Sequence, residues 1–589
     1  MRYKLIVQER NADWGNIAYN DKNVEVLVSV MQLFNDIRFD NLKGDVFGGL
    51  TAAVVSLPMA LAFGVASGAG AEAGLYGAVL VGLFAALFGG TSTLISEPTG
   101  PMTVVMTAVL TTLVADNPES GKAMAFTVVM MAGLFQIALG ALKLGKYITL
   151  MPYSVISGFM SGIGIILVIL QLAPFLGQAS PPGGVTGTLK ALPDLIMNIR
   201  PVELILGVMT LGILFYAPKQ WTRYVPAQLI ALVVGTLVSL TLFGFFEVRR
   251  IGEINLGLPS LIVPTFSAEQ WTTMVIDALV LGTLGCIDAL LTAVIADSLT
   301  RKEHKSDKEL VGQGIGNLVS GLFGGLPGAG ATMGTVVNIQ TGARSALSGV
   351  VRALVLLIVV LWAAGLTESI PLAVLAGIAV RVGINILDWS FVKRAHRVSL
   401  HATVIMYGVM FLTVFFDLIV AVGLGVFIAN ILTIERLSRV QTRNIKTITD
   451  SDDAIALNPE EKTLLDNAQG RLLLMYLSGP MIFGVSKAIA REHNAVMSCS
   501  ALVIDISDVP LIDATVSLAI ENAIKDALEA GKTVYVVRPE EETSRFLEGV
   551  GVFDMLPSDQ FCSTRLDALR LASQSLTGSE HTIPESVVE

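Results

Sequence analysis

Asp288 and Thr292 stand four residues apart inside an apolar stretch, Gly285-Cys286-Ile287-Asp288-Ala289-Leu290-Leu291-Thr292. On a helix that spacing puts a carboxylate and a hydroxyl on one face. Oxygen ligands of this kind suit a small hard cation, with backbone carbonyls completing the shell. An ionised aspartate at the centre of a lipid-crossing helix costs about 2.5–3.5 kcal/mol, so something must compensate it. Three roles meet that need: holding a cation, exchanging a proton, or hydrogen bonding to a neighbouring helix for packing alone. Asp297, nine residues on and beside Arg301 and Lys302, is expected in an interfacial ion pair outside the site.

A second chemistry is written in two interrupted tracts, Glu97-Pro98-Thr99-Gly100-Pro101-Met102-Thr103 and Pro327-Gly328-Ala329-Gly330-Ala331-Thr332-Met333-Gly334-Thr335. Paired short apolar segments broken by Gly or Pro, one in each half of a chain, point to a transporter site built from inverted repeats. Irregular backbone at membrane depth survives only where protein or a wet cavity satisfies it. If each tract starts a half-helix, its free N–H groups and positive dipole end suit an anion without any Lys or Arg. Leu87-Phe88-Gly89-Gly90 before Thr103-Val104-Val105, and Leu322-Phe323-Gly324-Gly325 before Thr335-Val336-Val337, repeat the same pattern. Glu97 at the first tract suits capping or gating, while Arg352 and Arg381 suit a pair with a carboxylate or, more simply for long basic side chains near helix ends, snorkelling.

These groups need a membrane-spanning frame, and composition supplies it. The chain has 589 residues, 53% hydrophobic and 15% charged, with mean hydropathy +0.68, against about 25% charged residues in soluble domains. About 20 apolar residues cross a bilayer, which marks fourteen segments: 46–66, 74–90, 98–115, 124–143, 154–176, 201–217, 226–246, 275–297, 309–324, 331–341, 346–366, 370–388, 402–416 and 418–434. An even number puts both termini on one side. Lys143, Lys146, Lys219, Arg223, Arg301, Lys302, Lys305, Lys308, Lys393, Arg394 and Arg397 fall in loops on that side, which makes it cytoplasmic; Arg249 and Arg250 fall opposite. The first membrane helix directs insertion, since the N-terminus lacks the apolar core and small-residue cleavage site of a signal peptide.

After Glu435 the composition changes. A polar linker, 435–469, leads into alternating apolar runs over 470–572 that read as strand, helix, strand, amphipathic helix, strand, the pattern of a small α/β domain. Residues 1–45 form a cytoplasmic lead-in, 46–434 the transport domain, and 573–589 a tail of disordered character. Cys286, Cys499 and Cys562 are too scattered for a disulfide framework or metal cluster. His304, His396, His401, His493 and His581 show no HExxH-like spacing, with His493 expected on a solvent-facing helix, and no nucleophile motif suggests an enzyme. A net charge of −10 without a basic stripe disfavours nucleic acid.

The runs ISEPTGPMTVVMTAV, GCIDALLT, ADSLTRKEHKSDKEL and GAGATMGTVVNIQ resemble the SulP anion permeases, which have fourteen membrane segments in two inverted repeats of seven and end in a STAS domain. Within that family they look like its cyanobacterial sodium-dependent bicarbonate carriers. The resemblance implies an elevator mechanism, in which segments one to four and eight to eleven move as a core against a gate made of the rest. It places sodium, the coupling ion, at Asp288, Thr292, Gly330 and Thr332, and bicarbonate beside Thr99, Gly100 and Ala331. It also implies a homodimer through the STAS domain, in the plasma membrane. Ala331 to Asn338 is uncharged, where some relatives carry an arginine, so sodium is expected to supply the charge that attracts the anion. Ala514 follows Asp513 where regulatory STAS proteins carry a phosphorylated serine, which argues against a phosphoswitch there; Thr515 comes one residue later. Proton-coupled sulfate transport, and an anion channel on the same fold, are the competing readings.

Overall fold

A computed structural model describes residues 34–148, 152–218, 220, 225–252, 259–362, 364–416, 418–450, 455–482, 485–538 and 541–578. The chain divides into two units, Met1–Val426 and Phe427–Glu589, with the break inside a long helix.

In the first unit the helices that matter are α1 (Leu42–Ser67), α2 (Ala71–Phe88), α3 (Gly100–Asp116), α4 (Gly121–Ala141), α5 (Tyr153–Leu170), α6 (Gly184–Met197), α7 (Pro201–Tyr216), α8 (Ala227–Thr241), α9 (Trp271–Thr300), α10 (Ser306–Leu322), α11 (Thr332–Gln340), α12 (Leu347–Trp362), α13 (Leu372–Ile386) and α14 (Leu400–Phe415). The last, α15 (Leu418–Thr442), runs across the division. Each hydrophobic segment of the sequence carries one of these helices. Among the described residues α1, α2, α4, α5 and α9 are long and apolar enough to cross a bilayer alone, while α3, α8, α12, α13 and α14 are shorter apolar helices. Helix α6 was not legible from hydropathy, because only Thr188 and Leu195 of its residues are buried. It meets α7 at a bend of 115°.

Two sets of mutual packing emerge. Helix α10 lies along α4 and α2, α9 along α4, and α12 along α1 and α2; α11 packs on α1 and α9. In the other set α5 packs on α13 and α14, and α7 on α13 and α8. The sets meet where α1 touches α13 and α3 touches α5. Polar ties close the first set: the buried Asp45 carboxylate of α1 accepts from the Arg344 and Ser345 N–H groups and the Ser345 hydroxyl, at 2.7, 3.0 and 2.8 Å.

The second unit is a five-stranded sheet ordered β3 (Ile445–Ile448), β4 (Leu472–Ser478), β5 (Ala501–Asp508), β6 (Thr533–Val537), β7 (Phe561–Cys562), antiparallel at β3–β4 and parallel elsewhere. Parallel strands covered on both faces read as apolar runs, and β5 shows the alternation beneath. Leu502, Ile504 and Ile506 face one core; Ala501 and Val503 face the other. Asp505, in register with Ala501 and Val503, is fully buried and paired with Arg565. The segment 435–469, expected as a linker, instead supplies the edge strand β3 and the helix Pro459–Asn467. That helix starts at a capping box, in which Asn458 and Glu461 each accept from the other's backbone N–H. Ser573 to Gly578, expected in a disordered tail, are the last turns of the helix Arg565–Gly578, while residues 579–589 lie outside the described ones. The amphipathic helix Ala514–Glu529 starts where expected, with the Asp513 carboxylate accepting from Val516 N–H as its cap.

Candidate functional site

The two interrupted tracts meet. Ser96-Glu97 forms β1 and Ala329-Gly330 forms β2, paired antiparallel with Ser96 opposite Gly330 and Glu97 opposite Ala329. The Ala331 N–H donates to Ile95 O at 2.7 Å and extends the pairing. Each two-residue strand leads into a helix, α3 after Thr99 and α11 after Ala331. Antiparallel strands send their helices in opposite directions, so both N-termini lie at this crossing. Pro101, in the first turn of α3, lacks an N–H that the helix would leave unpaired anyway. The remaining first-turn N–H groups of both helices have no intrahelical acceptor.

The sequence-selected residues are brought together here. Thr99 and Ala331 are the residues preceding α3 and α11, with extended backbones, and are 8% and 7% exposed. Gly100 opens α3 against α13: a side-chain carbon there would lie 2.4 Å from Ile386 Cδ1. The Thr292 hydroxyl of α9 donates to the carbonyl of Gly330 at 2.8 Å and lies 3.1 Å from the Thr332 hydroxyl. This close approach explains the glycine, since a Cβ at residue 330 would sit 3.1 Å from Ala289 Cα and 3.0 Å from Thr292 Cβ. One turn back on α9, Asp288 is 7% exposed and reaches toward the Thr99 side chain. Its Oδ2, like Thr99 Oγ1 and Glu97 Oε1, is buried without a hydrogen-bond partner. A carboxylate oxygen without a partner, one helical turn from a hydroxyl that meets a carbonyl and a second hydroxyl, supplies oxygen atoms of the kind that a small hard cation takes.

Several residues that sequence reasoning misplaced or missed hold the crossing. Arg352 does not snorkel: its guanidinium is fully buried and pairs with Glu97. It also donates to Ser96 O and Ala78 O at 2.9 Å each and to Ser56 Oγ at 3.0 Å. Glu97 is therefore the counter-ion that locks β1 to α1, α2 and α12. The second tract is held by neutral groups. Asn317 of α10 accepts from Gly328 N–H at 2.7 Å and donates to Gly328 O at 2.9 Å and to Gln136 Oε1 at 2.8 Å. Thr335 of α11 accepts from Ile95 N–H at 3.0 Å. On the side of the first tract, Gln313 donates to Ser96 Oγ and Glu309 Oε1, and Glu309 accepts from the N–H groups of Gly90 and Thr91. Glu309, Gln313, Asn317 and Ser320 are all buried. Their spacing of four, four and three is a polar stripe on one helix face, the signal that would have found them.

Other expectations resolve differently. Asp297 pairs with His304 at 2.6 Å, and the ring's other nitrogen meets the Ser306 hydroxyl at 3.0 Å. Among the described residues no ion pair links it to Lys302 or Arg301; Arg301 ends the helix in a left-handed conformation, φ 58°, with its N–H donating to Asp297 O at 2.8 Å. Arg381 lies over the Phe215 ring, 4.1 Å from its centroid. The side chain of His493 lies outside the described ones. Thr515 is exposed, one residue into its helix.

A model of the sulfate permease family matches residues 42–409, and a STAS domain model matches residues 465–568. Curated relatives include the bicarbonate transporter BicA of Synechocystis sp., 65% identical over 93% of this chain and 97% of that protein. BicA of Picosynechococcus sp. is 63% identical over 92% of this chain and 96% of its own. The putative sulfate transporter YvdB of Bacillus subtilis is 28% identical over 90% of this chain and 97% of its own. Among solved structures, the transmembrane domain of a cyanobacterium bicarbonate transporter BicA matches with TM-score 0.63 and 69% identity, covering 66% of this chain and all of that one. The overall structure of SLC26A9 matches with TM-score 0.80 at 18% identity over 97% and 98% of the two chains, a likeness of fold.

Proposed function

The chain belongs to the sulfate permease family and carries a STAS domain, and from that premise we propose that it transports bicarbonate across a membrane with sodium as the coupling ion. It is a transporter and not an enzyme, as the names of its close relatives support. The observation that carries the coupling is the buried, partnerless Asp288 Oδ2 one helical turn from Thr292, whose hydroxyl meets the Gly330 carbonyl and the Thr332 hydroxyl.

Charge bookkeeping explains why two ions travel together. Arg352 is neutralised by Glu97, so the groups facing Thr99 and Ala331 are helix N-termini and the Asp288 carboxylate. An anion arriving alone meets the dipole ends but also that negative charge. Sodium on Asp288, Thr292, Gly330 and Thr332 cancels it, leaving Thr99, Gly100 and Ala331 with a net attraction for bicarbonate. The linkage is reciprocal, each ion tightening the other's binding.

The two packing sets supply the parts for alternating access of the elevator kind. The set holding the crossing, α1–α4 and α9–α12, would carry both ions past the set formed by α5, α7, α8, α13 and α14. Fourteen crossings as two inverted sevens, with both termini and the STAS domain cytoplasmic in the plasma membrane, agree with the fourteen apolar segments and the Lys and Arg of the loops. We assign homodimerisation to the STAS domain.

The test is uptake of labelled bicarbonate and labelled sulfate into proteoliposomes, with and without an inward sodium gradient. Sodium-stimulated bicarbonate uptake is expected. Proton-driven sulfate uptake without it would replace this reading by sulfate transport, the activity that the YvdB relative's name states.

A further inference from the structure

The turn between α13 and α14 is both basic and firmly built. Between Glu368 and Asp417 the chain holds one acid, Asp388, against Arg381, Lys393, Arg394 and Arg397. That carboxylate is engaged within the protein: Oδ2 accepts from the Tyr153 and Ser157 hydroxyls of α5 at 2.7 and 2.8 Å, and Oδ1 from the Phe391 N–H at 3.0 Å. It caps the short helix Trp389–Val392, and a second, Ala395–Val398, follows. The Trp389 indole donates to Ile384 O at 2.8 Å, Tyr407 of α14 donates to Val392 O at 3.2 Å, and Tyr153 stands edge-on to Phe391. Lys393, Arg394 and Arg397 are exposed on this fixed turn. Among the described residues no ion pair joins any of them to a carboxylate; Arg394 reaches back to Ser390, and Lys393 Nζ lies 5.9 Å from the centre of the Trp389 ring.

An excess of positive charge alone is common at the cytoplasmic ends of membrane helices. The helix that starts at this turn adds a second feature. Leu400, Val404, Tyr407, Phe411 and Phe415 of α14 are exposed, at spacings of four, three, four and four that put them on one face. Met406, Val409 and Thr413, on the opposite face, are buried. The exposed stripe runs about 22 Å along the axis, longer than one leaflet's share of a roughly 30 Å hydrocarbon core. Three uncompensated cations at one end of such a stripe match a molecule with an anionic head and long apolar chains, and an aromatic residue such as Trp389 suits the headgroup level between them.

We propose that the turn 393–397 and the outer face of α14 form a binding site for an anionic phospholipid. Lys393, Arg394 and Arg397 hold its phosphate, and its acyl chains lie along the stripe from Leu400 to Phe415. Both α13 and α14 belong to the packing set that does not hold the crossing. A bound lipid therefore fixes that set to one leaflet while leaving the ion-holding set unencumbered. The inference rests on the membrane-spanning reading and not on the identity of the transported ions.

Native mass spectrometry of the detergent-purified full chain, offered equal amounts of phosphatidylglycerol and phosphatidylcholine with the same acyl chains, tests the site. Phosphatidylglycerol should be retained about tenfold over phosphatidylcholine. The preference should fall below about twofold when Lys393→Gln, Arg394→Gln and Arg397→Gln are combined, and persist when Lys393→Arg, Arg394→Lys and Arg397→Lys are combined. Arg397→Gln alone should lower it about threefold, which keeps the test decisive if the triple variant folds poorly. Lys302→Gln with Lys305→Gln, two exposed cations of the loop between α9 and α10, should leave it unchanged. Glycerol phosphate, a headgroup without chains, should displace the lipid poorly. No preference in the native chain, a preference that survives the glutamine variants, or an equal loss from the Lys302 and Lys305 changes would overturn the site. Displacement by glycerol phosphate as effective as by the lipid would replace it with a site for free phosphate.

Discussion

The two arms of the crossing perform the same backbone manoeuvre with different means of support. The first, β1 and α3, is fixed by a buried ion pair whose arginine makes further hydrogen bonds to two carbonyls and a hydroxyl. The second, β2 and α11, is fixed by amide and hydroxyl side chains, and keeps the Gly330 carbonyl and the Thr332 hydroxyl at the crossing. The contrast shows how a near-repeat makes unlike sites. A charge clamp that is fully neutralised fixes position without competing for either ion. A neutral clamp leaves oxygen atoms that, on the proposed reading, would hold a cation whose charge is balanced from a third element, α9. On the proposed reading, unlike ions bind side by side because the two arms differ in what holds them.

The largest effect should come from the charged clamp. Arg352→Met leaves Glu97 buried and unpaired, and should destabilise the protein by about 3–5 kcal/mol in thermal unfolding of the detergent-solubilised chain. Adding Glu97→Gln should recover part of that loss; additive losses would mean that the pair is not the clamp. Next, Asp288→Asn should reduce sodium-stimulated uptake about a hundredfold, equivalent to about 2.7 kcal/mol, with little change in unfolding. In the neutral clamp, Asn317→Ala strands the Gly328 N–H and should cost about 1–3 kcal/mol of stability. A cost as large as that of Arg352→Met would erase the distinction between the arms. The smallest expected effect is Thr292→Val, a roughly tenfold rise in half-saturating sodium, or about 1.4 kcal/mol, read from uptake kinetics.

How much of this could be read beforehand follows from what each feature breaks. Asp288 stood out because a carboxylate in an apolar run is costly, and the two tracts because Gly and Pro interrupt apolar segments. The apolar segments themselves marked the helices. The Arg352–Glu97 pair was hidden because its members lie 255 positions apart, and an arginine in an apolar helix fits snorkelling equally well until burial is known. Asn317 and Gln313 were legible as a helical stripe but carry no charge to draw attention. The linker was misread because Asn458-Pro459-Glu460-Glu461 is polar in composition while forming a helix cap. Helix α6 escaped because hydropathy finds buried helices and only Thr188 and Leu195 of its fourteen residues are buried.

If the two arms hold two ions coupled through Asp288, the binding of each must depend on the other. Equilibrium binding of labelled sodium to the purified chain, with and without bicarbonate, and of labelled bicarbonate with and without sodium, tests it most directly. Each ion should tighten the other by the same factor, and Asp288→Asn should abolish both effects. Sodium binding that is absent, or indifferent to bicarbonate, would contradict it.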